Sequence, residues 1–316
     1  MIAPICPQTQ SFGKGDQQRS RLGDWLELLR APNLPTAWGD PAAGWVLACM
    51  VGLRCSHPQA VWAALAGLCI YAAGLIQNDY FDQRIDKTER PGRPIVSGRI
   101  APRVALGGWI ILFIAGVGIA SLNGVASVVF GVALVVTVTF YNRLAKKVVM
   151  LGPIVMGTCR AMSVLLGASA AGPQALTNYV VLILAAGVGL YITTVSLIAI
   201  NETRGVESLS LLGPPWAALI WLGIIGHVMP YAPSPHVAAA AVVLANAAFI
   251  GVLWTCWKMY RPRNRMHCPA GIGWLIRALP LMHASVAMMG GFVVLGVAFA
   301  LMVPVSAILA RWFHAS

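Results

Sequence analysis

This sequence has little charge and very little acid. Of its 316 residues 10% are charged, and only 10 are Asp or Glu against 22 Lys or Arg. A soluble domain carries about a quarter of its residues as charges, so a water-exposed globular surface is excluded. A hydrophobic content of 58% excludes disorder, collagen and coiled coil as well. Paired cysteines are absent too: none of the seven (Cys6, Cys49, Cys55, Cys69, Cys159, Cys256, Cys268) stands in a CxxC, and most lie in apolar stretches, so reduced packing thiols are expected. No glycine-rich GxGxxG follows a strand, which removes a dinucleotide fold. The apolar runs are long and do not alternate, which removes a β-barrel. The first 32 residues contain Lys14, Arg19, Arg21 and Arg30 but no uninterrupted apolar stretch, so no cleavable signal peptide is expected and the N-terminus is expected to be retained.

What is there is a series of apolar segments of membrane-spanning length. They lie near 35–53, 59–80, 104–121, 124–141, 150–171, 177–200, 213–230, 236–257 and 274–304. The expected fold is all-α: a polytopic membrane protein with nine transmembrane helices in one bundle around a central cavity. Two regions are expected, a cytoplasmic N-terminal segment over 1–32 and the nine-helix domain over 33–316. Within the first, Leu22, Trp25, Leu26 and Leu29 recur at helical spacing among charges, as in an amphipathic helix lying in the membrane interface.

Basic residues test the span count, because Lys and Arg accumulate in short cytoplasmic loops. With the N-terminus inside, the inner segments hold the four named above, then Arg84, Lys87, Arg90, Arg93, Arg99 and Arg103, then Arg143, Lys146 and Lys147, then Arg204, then Lys258, Arg261, Arg263 and Arg265. The outer ones hold Arg54 and Arg311; Arg160 and Arg277 lie in or at the edge of spans. This split supports a cytoplasmic N-terminus and an external C-terminus, in a bacterial inner membrane. The surplus of +12 sits between spans rather than on one soluble face, so the expected partners are membrane lipids and an anionic substrate, not nucleic acid.

The acids are concentrated. Asp79, Asp82, Asp86 and Glu89 cluster at the inner end of the second span. Asn78, Asp82 and Asp86 are spaced by four, which on a continuing helix gives one oxygen-bearing face. Like charges so arranged call for a cation, and hard oxygen ligands imply Mg²⁺ bridging to phosphate. Acidic groups at a bilayer edge are costly enough to mark function. Arg160 is isolated inside the fifth span, facing either Asp40 of span one or an anionic ligand, while Asp40 itself is expected near the cavity mouth. Trp109, Phe113, Phe140, Tyr191, Trp221, His227 and His283 read as packing residues. Gly116 and Gly118, and Gly290 and Gly291, fit close helix packing.

The run Asn78-Asp79-Tyr80-Phe81-Asp82-Gln83-Arg84-Ile85-Asp86, followed by Arg93-Pro94-Ile95-Val96-Ser97-Gly98-Arg99-Ile100, resembles the first signature of the UbiA family of intramembrane prenyltransferases. Tyr141-Asn142-Arg143-Leu144-Ala145-Lys146 is similar to the family's tyrosine-to-lysine element. The family's second motif, DxxxD, is replaced by Asn201-Glu202-Thr203-Arg204-Gly205-Val206-Glu207. With the stretch from Leu151 to Arg160, the chain resembles a divergent, EboC-like branch.

The resemblance implies Mg²⁺-dependent transfer of a prenyl group from a prenyl diphosphate to a lipophilic, typically aromatic, acceptor. It implies Asn78, Asp82 and Asp86 as the catalytic metal-holding residues, with Asp79, Asn201, Glu202 and Glu207 as further ligands. Arg93, Tyr141, Arg143, Lys146, Arg160, Arg204 and Asp40 are then the candidates for binding substrate. At the divergent second motif, Arg204 is expected to stand where a second Mg²⁺ would otherwise sit. A non-catalytic prenyl-diphosphate or lipid-binding protein, or a transporter, on the same fold is the alternative reading.

Overall fold

A computed structural model of the chain describes residues 21–53, 55–200, 209–261 and 268–312. The described residues form helices and turns with no strand: α1 Arg21–Leu28, α2 Leu34–Ala37, α3 Gly39–Met50, α4 His57–Glu89, α5 Pro102–Ala120, α6 Val125–Arg143, α7 Leu151–Ser169, α8 Tyr179–Ile200, α9 Gly213–His227, α10 Pro235–Tyr260, α11 Cys268–Ile276, α12 Leu279–Met289 and α13 Val293–Trp312.

Helix α4 sets the geometry of the site. It starts on a capping box, with Ser56 N–H donating to Gln59 Oε1 at 2.8 Å, and Pro58 occupies the first turn, where its missing N–H costs nothing. Its 33 residues extend about 50 Å at 1.5 Å per residue, against a hydrocarbon core of about 30 Å. The last turns therefore project past the apolar layer and carry Asp79 to Glu89 with them. Helices α5, α6 and α7 pack around α4 over an apolar core of Ile70, Phe113, Leu134 and Leu166. A second, larger core unites α8 to α12, with Tyr191 and Trp221 at its centre.

Helix α3 lies between the two groups and is almost wholly buried. Close approach makes that possible. A methyl group on Gly44 would strike the backbone carbonyl of Val164, and one on Gly167 would strike that of Pro41, so small residues let α3 and α7 touch backbone to backbone.

Among the described residues nine helices are long and apolar enough to cross a membrane. The number is the expected one, but the set differs. The first expected span is broken into α2 and α3 and is short. The last, 274–304, divides into two crossings, α11 with α12 and then α13, because Gly290 and Gly291 form a turn, the latter at φ 79°, a left-handed conformation that glycine adopts without strain. Gly290 packs against Val46 and Met50 at the far end of α3. Helix α13 then returns, and Ser306 Oγ donates to Pro32 O at 2.6 Å. The expected external C-terminus is thereby corrected: residue 312 lies at the same end of the bundle as α1 and the acidic end of α4. Arg311 joins the basic side with it. Gly116 packs on Ile70 as expected, whereas nothing lies near Gly118. One cysteine expectation is also corrected, since Cys49 and Cys55 are joined as a disulfide at the opposite, far end.

Candidate functional site

Between α4, α6 and α7 lies a cavity of about 320 Å³, opening at the acidic end. Its middle is apolar, lined by Ile70, Leu75, Leu134 and Val138, and its mouth carries Arg30, Asn78, Asp82, Tyr141, Asn142 and Lys146. Lys146, in the turn after α6, places Nζ 3.0 Å from Asn78 Oδ1 and 2.5 Å from Asp82 Oδ1. Register is held beneath it by amides. Asn142 donates to Gln77 Oε1 at 2.9 Å and to Gly74 O at 3.0 Å, and Gln77 donates to Thr139 Oγ1 at 3.2 Å. Buried amides that find partners specify one alignment of α4 against α6.

The expected face of three oxygens divides in two. On a helix, eight residues drift by about 80° while seven drift by only about 20°. Asp86 therefore falls in line with Asp79 rather than with Asn78. Arg93 Nη1 reaches both, at 2.7 Å to Asp79 and 3.1 Å to Asp86. Burial pulls the Arg93 guanidinium below its usual range, and Asp79 then Asp86 oppose that shift. Asn78 and Asp82 stay on the cavity wall. Among the described residues no group of three His, Cys, Asp or Glu is placed to hold a metal. Of the expected metal-holding oxygens, those of Asn78 and Asp82, one amide and one carboxylate, face the mouth and suit a hard cation, and the Lys146 ammonium occupies that electrostatic position.

Two other expected residues lie elsewhere. Arg143 is exposed and stands 5.5 Å from the Phe81 ring, outside the cavity. Asp40 is fully buried, away from the mouth; its carboxylate holds Arg160 Nε at 2.8 Å and His283 Nε2 at 2.8 Å. Arg160 lines the deep end of the cavity. His283, read as a packing residue, is thus part of a polar cluster. Asn201, Glu202, Arg204 and Glu207 lie outside the described residues.

Sequence reasoning missed Arg30, whose only signal was a basic residue immediately before Ala-Pro at the start of the first span. It follows α1, adopts a left-handed φ of 48°, lines the cavity mouth and sits 3.5 Å from Asp79. Such a backbone is strained for a residue with a Cβ. The contacts around it hold it there: Arg99 grips Glu27 in a two-pronged pair at 2.9 and 3.0 Å and also bonds Asp24, tying α1 to the loop after α4. The hydrogen bonds that Arg99 donates to Glu27 raise its pKa, against desolvation.

A model described as the UbiA prenyltransferase family matches residues 34–276. The digeranylgeranylglyceryl phosphate synthase of Methanothrix thermoacetophila is 32% identical over 154 residues, 49% of this chain and 57% of that protein. That of Sulfolobus acidocaldarius is 31% identical over 159 residues, 50% of this chain and 56% of that protein. The chain thus spans about half the length of the curated relatives it matches. Among solved structures, a UbiA homolog from Aeropyrum pernix K1 superposes with a TM-score of 0.61 at 17% identity, covering 82% of this chain and 96% of that one. A UbiA homolog from Archaeoglobus fulgidus bound to GPP and Mg²⁺ superposes with a TM-score of 0.57 at 16% identity, covering 86% and 99%.

Proposed function

This chain belongs to the UbiA prenyltransferase family and is an integral membrane protein, and on that premise we propose that it transfers a prenyl group from a prenyl diphosphate to a lipophilic acceptor within the bilayer. The observation that carries the reading is one cavity in which cations and oxygen donors ring the mouth above an apolar wall. A diphosphate needs the first and an isoprenoid needs the second.

The diphosphate is proposed to sit among Arg30, Lys146 and Tyr141, where two cations and a phenol O–H take its oxygens in charge-assisted bonds. Lys146 leaves Asp82 as it does so. Asn78 and Asp82 are then the residues that would hold Mg²⁺, which when bound neutralises charge on the departing diphosphate. Asp79, Asp86 and Arg93 form the neighbouring ion cluster that fixes the loop and Arg30 around the mouth. Ionisation of the C1–O bond leaves an allylic cation whose wall is Ile70, Leu75, Leu134 and Val138, side chains with no nucleophile to capture it. These side chains also exclude water. The acceptor nucleophile takes the prenyl carbon and releases its proton.

Glu202 and Glu207 with Asn201 are proposed as the remaining oxygen donors, with Arg204 beside them. The mouth is proposed to face the cytoplasm of a prokaryotic cell. Two facts support this: basic residues crowd that end, and the Cys49–Cys55 disulfide lies at the other, as suits an oxidising exterior.

The test incubates membranes containing the protein with labelled geranylgeranyl diphosphate, with and without Mg²⁺. The expected result is a Mg²⁺-dependent prenylated product in the lipid-soluble fraction. Tight diphosphate binding with no product in the presence of host lipid extracts would leave a binding protein and overturn the transferase reading.

A further inference from the structure

Arg160 is the one guanidinium at the deep end of the cavity among the described residues. It stands nine residues into α7, about 13 Å along the helix axis. Its partners are all on the side away from the cavity: Nε meets Asp40 Oδ2, and Nη2 donates to Thr36 O at 3.2 Å. Nη1 has no hydrogen-bond partner among the described residues. Tyr71, whose ring centroid is 5.8 Å from the guanidinium carbon, and Ser163 line the same end.

The charge at this end is already matched. Asp40 is completely buried and carries one negative charge against Arg160. His283 stands outside the cavity lining, with its Nε2 2.8 Å from Asp40 Oδ1 and its Nδ1 packed so closely on Gly39 that a methyl group there would overlap it. Arg30, the nearest other cation on the cavity, has Asp79 at 3.5 Å. An oxyanion brought to Arg160 would be one negative charge too many in a low-dielectric site, and burying an uncompensated charge is expensive.

From this balance we propose that the deep end is the acceptor subsite and that it takes an uncharged oxygen, a hydroxyl or carbonyl, and rejects a carboxylate or phosphate. The proposal rests on the prenyl-transfer reading for the word acceptor. It does not rest on it for the binding selectivity. Asp40 is the positioning residue: it orients Arg160 so that Nη1 faces the cavity and cancels the charge that would otherwise attract anions. An acceptor with an anionic group elsewhere would keep that group toward the mouth.

The experiment uses the full chain in nanodiscs and two labelled probes of the same shape, benzyl alcohol and benzoate. Binding is counted above that of Arg160→Met, which reports partition into lipid. The wild type is expected to hold benzyl alcohol at least tenfold more tightly than benzoate, and Asp40→Asn is expected to reverse that preference by leaving Arg160 uncompensated. A purely structural role for Asp40 would lower both affinities without reversing them. Benzoate bound as tightly as the alcohol by the wild type, no alcohol binding above the Arg160→Met level, or an unreversed preference in a monodisperse Asp40→Asn protein of normal melting temperature would each overturn the proposal. The wild-type comparison is decisive even if Asp40→Asn misfolds. Labelled geranylgeranyl diphosphate with Mg²⁺, added to the same preparation, separates the two readings: its failure to bind, with the alcohol preference intact, ends the transferase reading and leaves the neutral subsite standing.

Discussion

Lys146 and Asp82, 64 residues apart, meet at the cavity mouth with Nζ 2.5 Å from Oδ1. The contact bridges the turn after α6 to the projecting end of α4, and Asn78 shares the same ammonium at 3.0 Å. A lysine so placed offsets the Asp82 charge at the mouth, and is proposed to turn to the diphosphate when one arrives. Lys146→Met keeps the aliphatic stem and removes the charge. A charge-assisted hydrogen bond is worth about 1.5–3 kcal/mol, so the dissociation constant for geranylgeranyl diphosphate is expected to rise by roughly 10- to 150-fold. Equilibrium binding to nanodisc-embedded protein measures it, and an unchanged constant removes Lys146 from the diphosphate site.

Arg99 acts at one remove. Its grip on Glu27 and Asp24 holds α1 against the loop, and Arg30 follows α1 in a strained conformation. Arg99→Ala is expected to raise KM for prenyl diphosphate several-fold while kcat falls less, because Arg30 is loosened and not lost. Arg99→Lys, which cannot reproduce the two-pronged pair, is expected to recover only part. An equal fall in kcat with KM constant would mean the strap has no part in binding.

Both ends of the described chain lie at the acidic end of the bundle, a topology that cysteine labelling checks. In a background where only the tested cysteine remains, Gln83→Cys and Trp312→Cys are expected to react alike with an impermeant thiol reagent, and Leu122→Cys oppositely. With Cys49 and Cys55 restored, the reagent is expected to reach them from the Leu122 side only after reduction. Opposite labelling of positions 83 and 312 would restore an odd number of crossings.

Much of this was legible in the sequence, for identifiable physical reasons. Long apolar runs specify a helical bundle, and the clustered acids mark the end of it at which the candidate cavity opens. What misled was local. Two glycines inside an apolar run read as packing, yet Gly291 at positive φ makes a turn, and that one turn changed the side of the C-terminus. Spacing by four placed Asp86 with Asn78, but drift over eight residues is enough to hand it to Arg93. His283 and Asp40, 243 residues apart, could be joined only by the fold, and Arg30 owes its role to a backbone conformation that its sequence does not announce.

The divergent second motif makes a separate prediction. Arg204 is proposed to supply positive charge where a second Mg²⁺ would otherwise be held. Arg204→Ala is then expected to reduce turnover at least tenfold, more than Glu202→Ala or Glu207→Ala, and raised Mg²⁺ is expected to restore part of it. If the glutamate changes are the more damaging and Arg204→Ala is silent, a two-metal site is present.

Labelled geranylgeranyl diphosphate binding across a Mg²⁺ titration, for the wild type, Asp82→Asn and Asp86→Asn side by side, measures whether the cavity mouth holds a metal-bound diphosphate. Mg²⁺-dependent binding is expected, and Asp82→Asn is expected to weaken it at least tenfold, because it removes the one carboxylate on the cavity wall among the described residues. Asp86→Asn, whose side chain faces Arg93 and does not line the cavity, is predicted to stay within about threefold, a free-energy change of under about 1 kcal/mol. Binding that ignores Mg²⁺, or an Asp82→Asn protein that binds as the wild type does, would contradict a metal-bound diphosphate at the mouth.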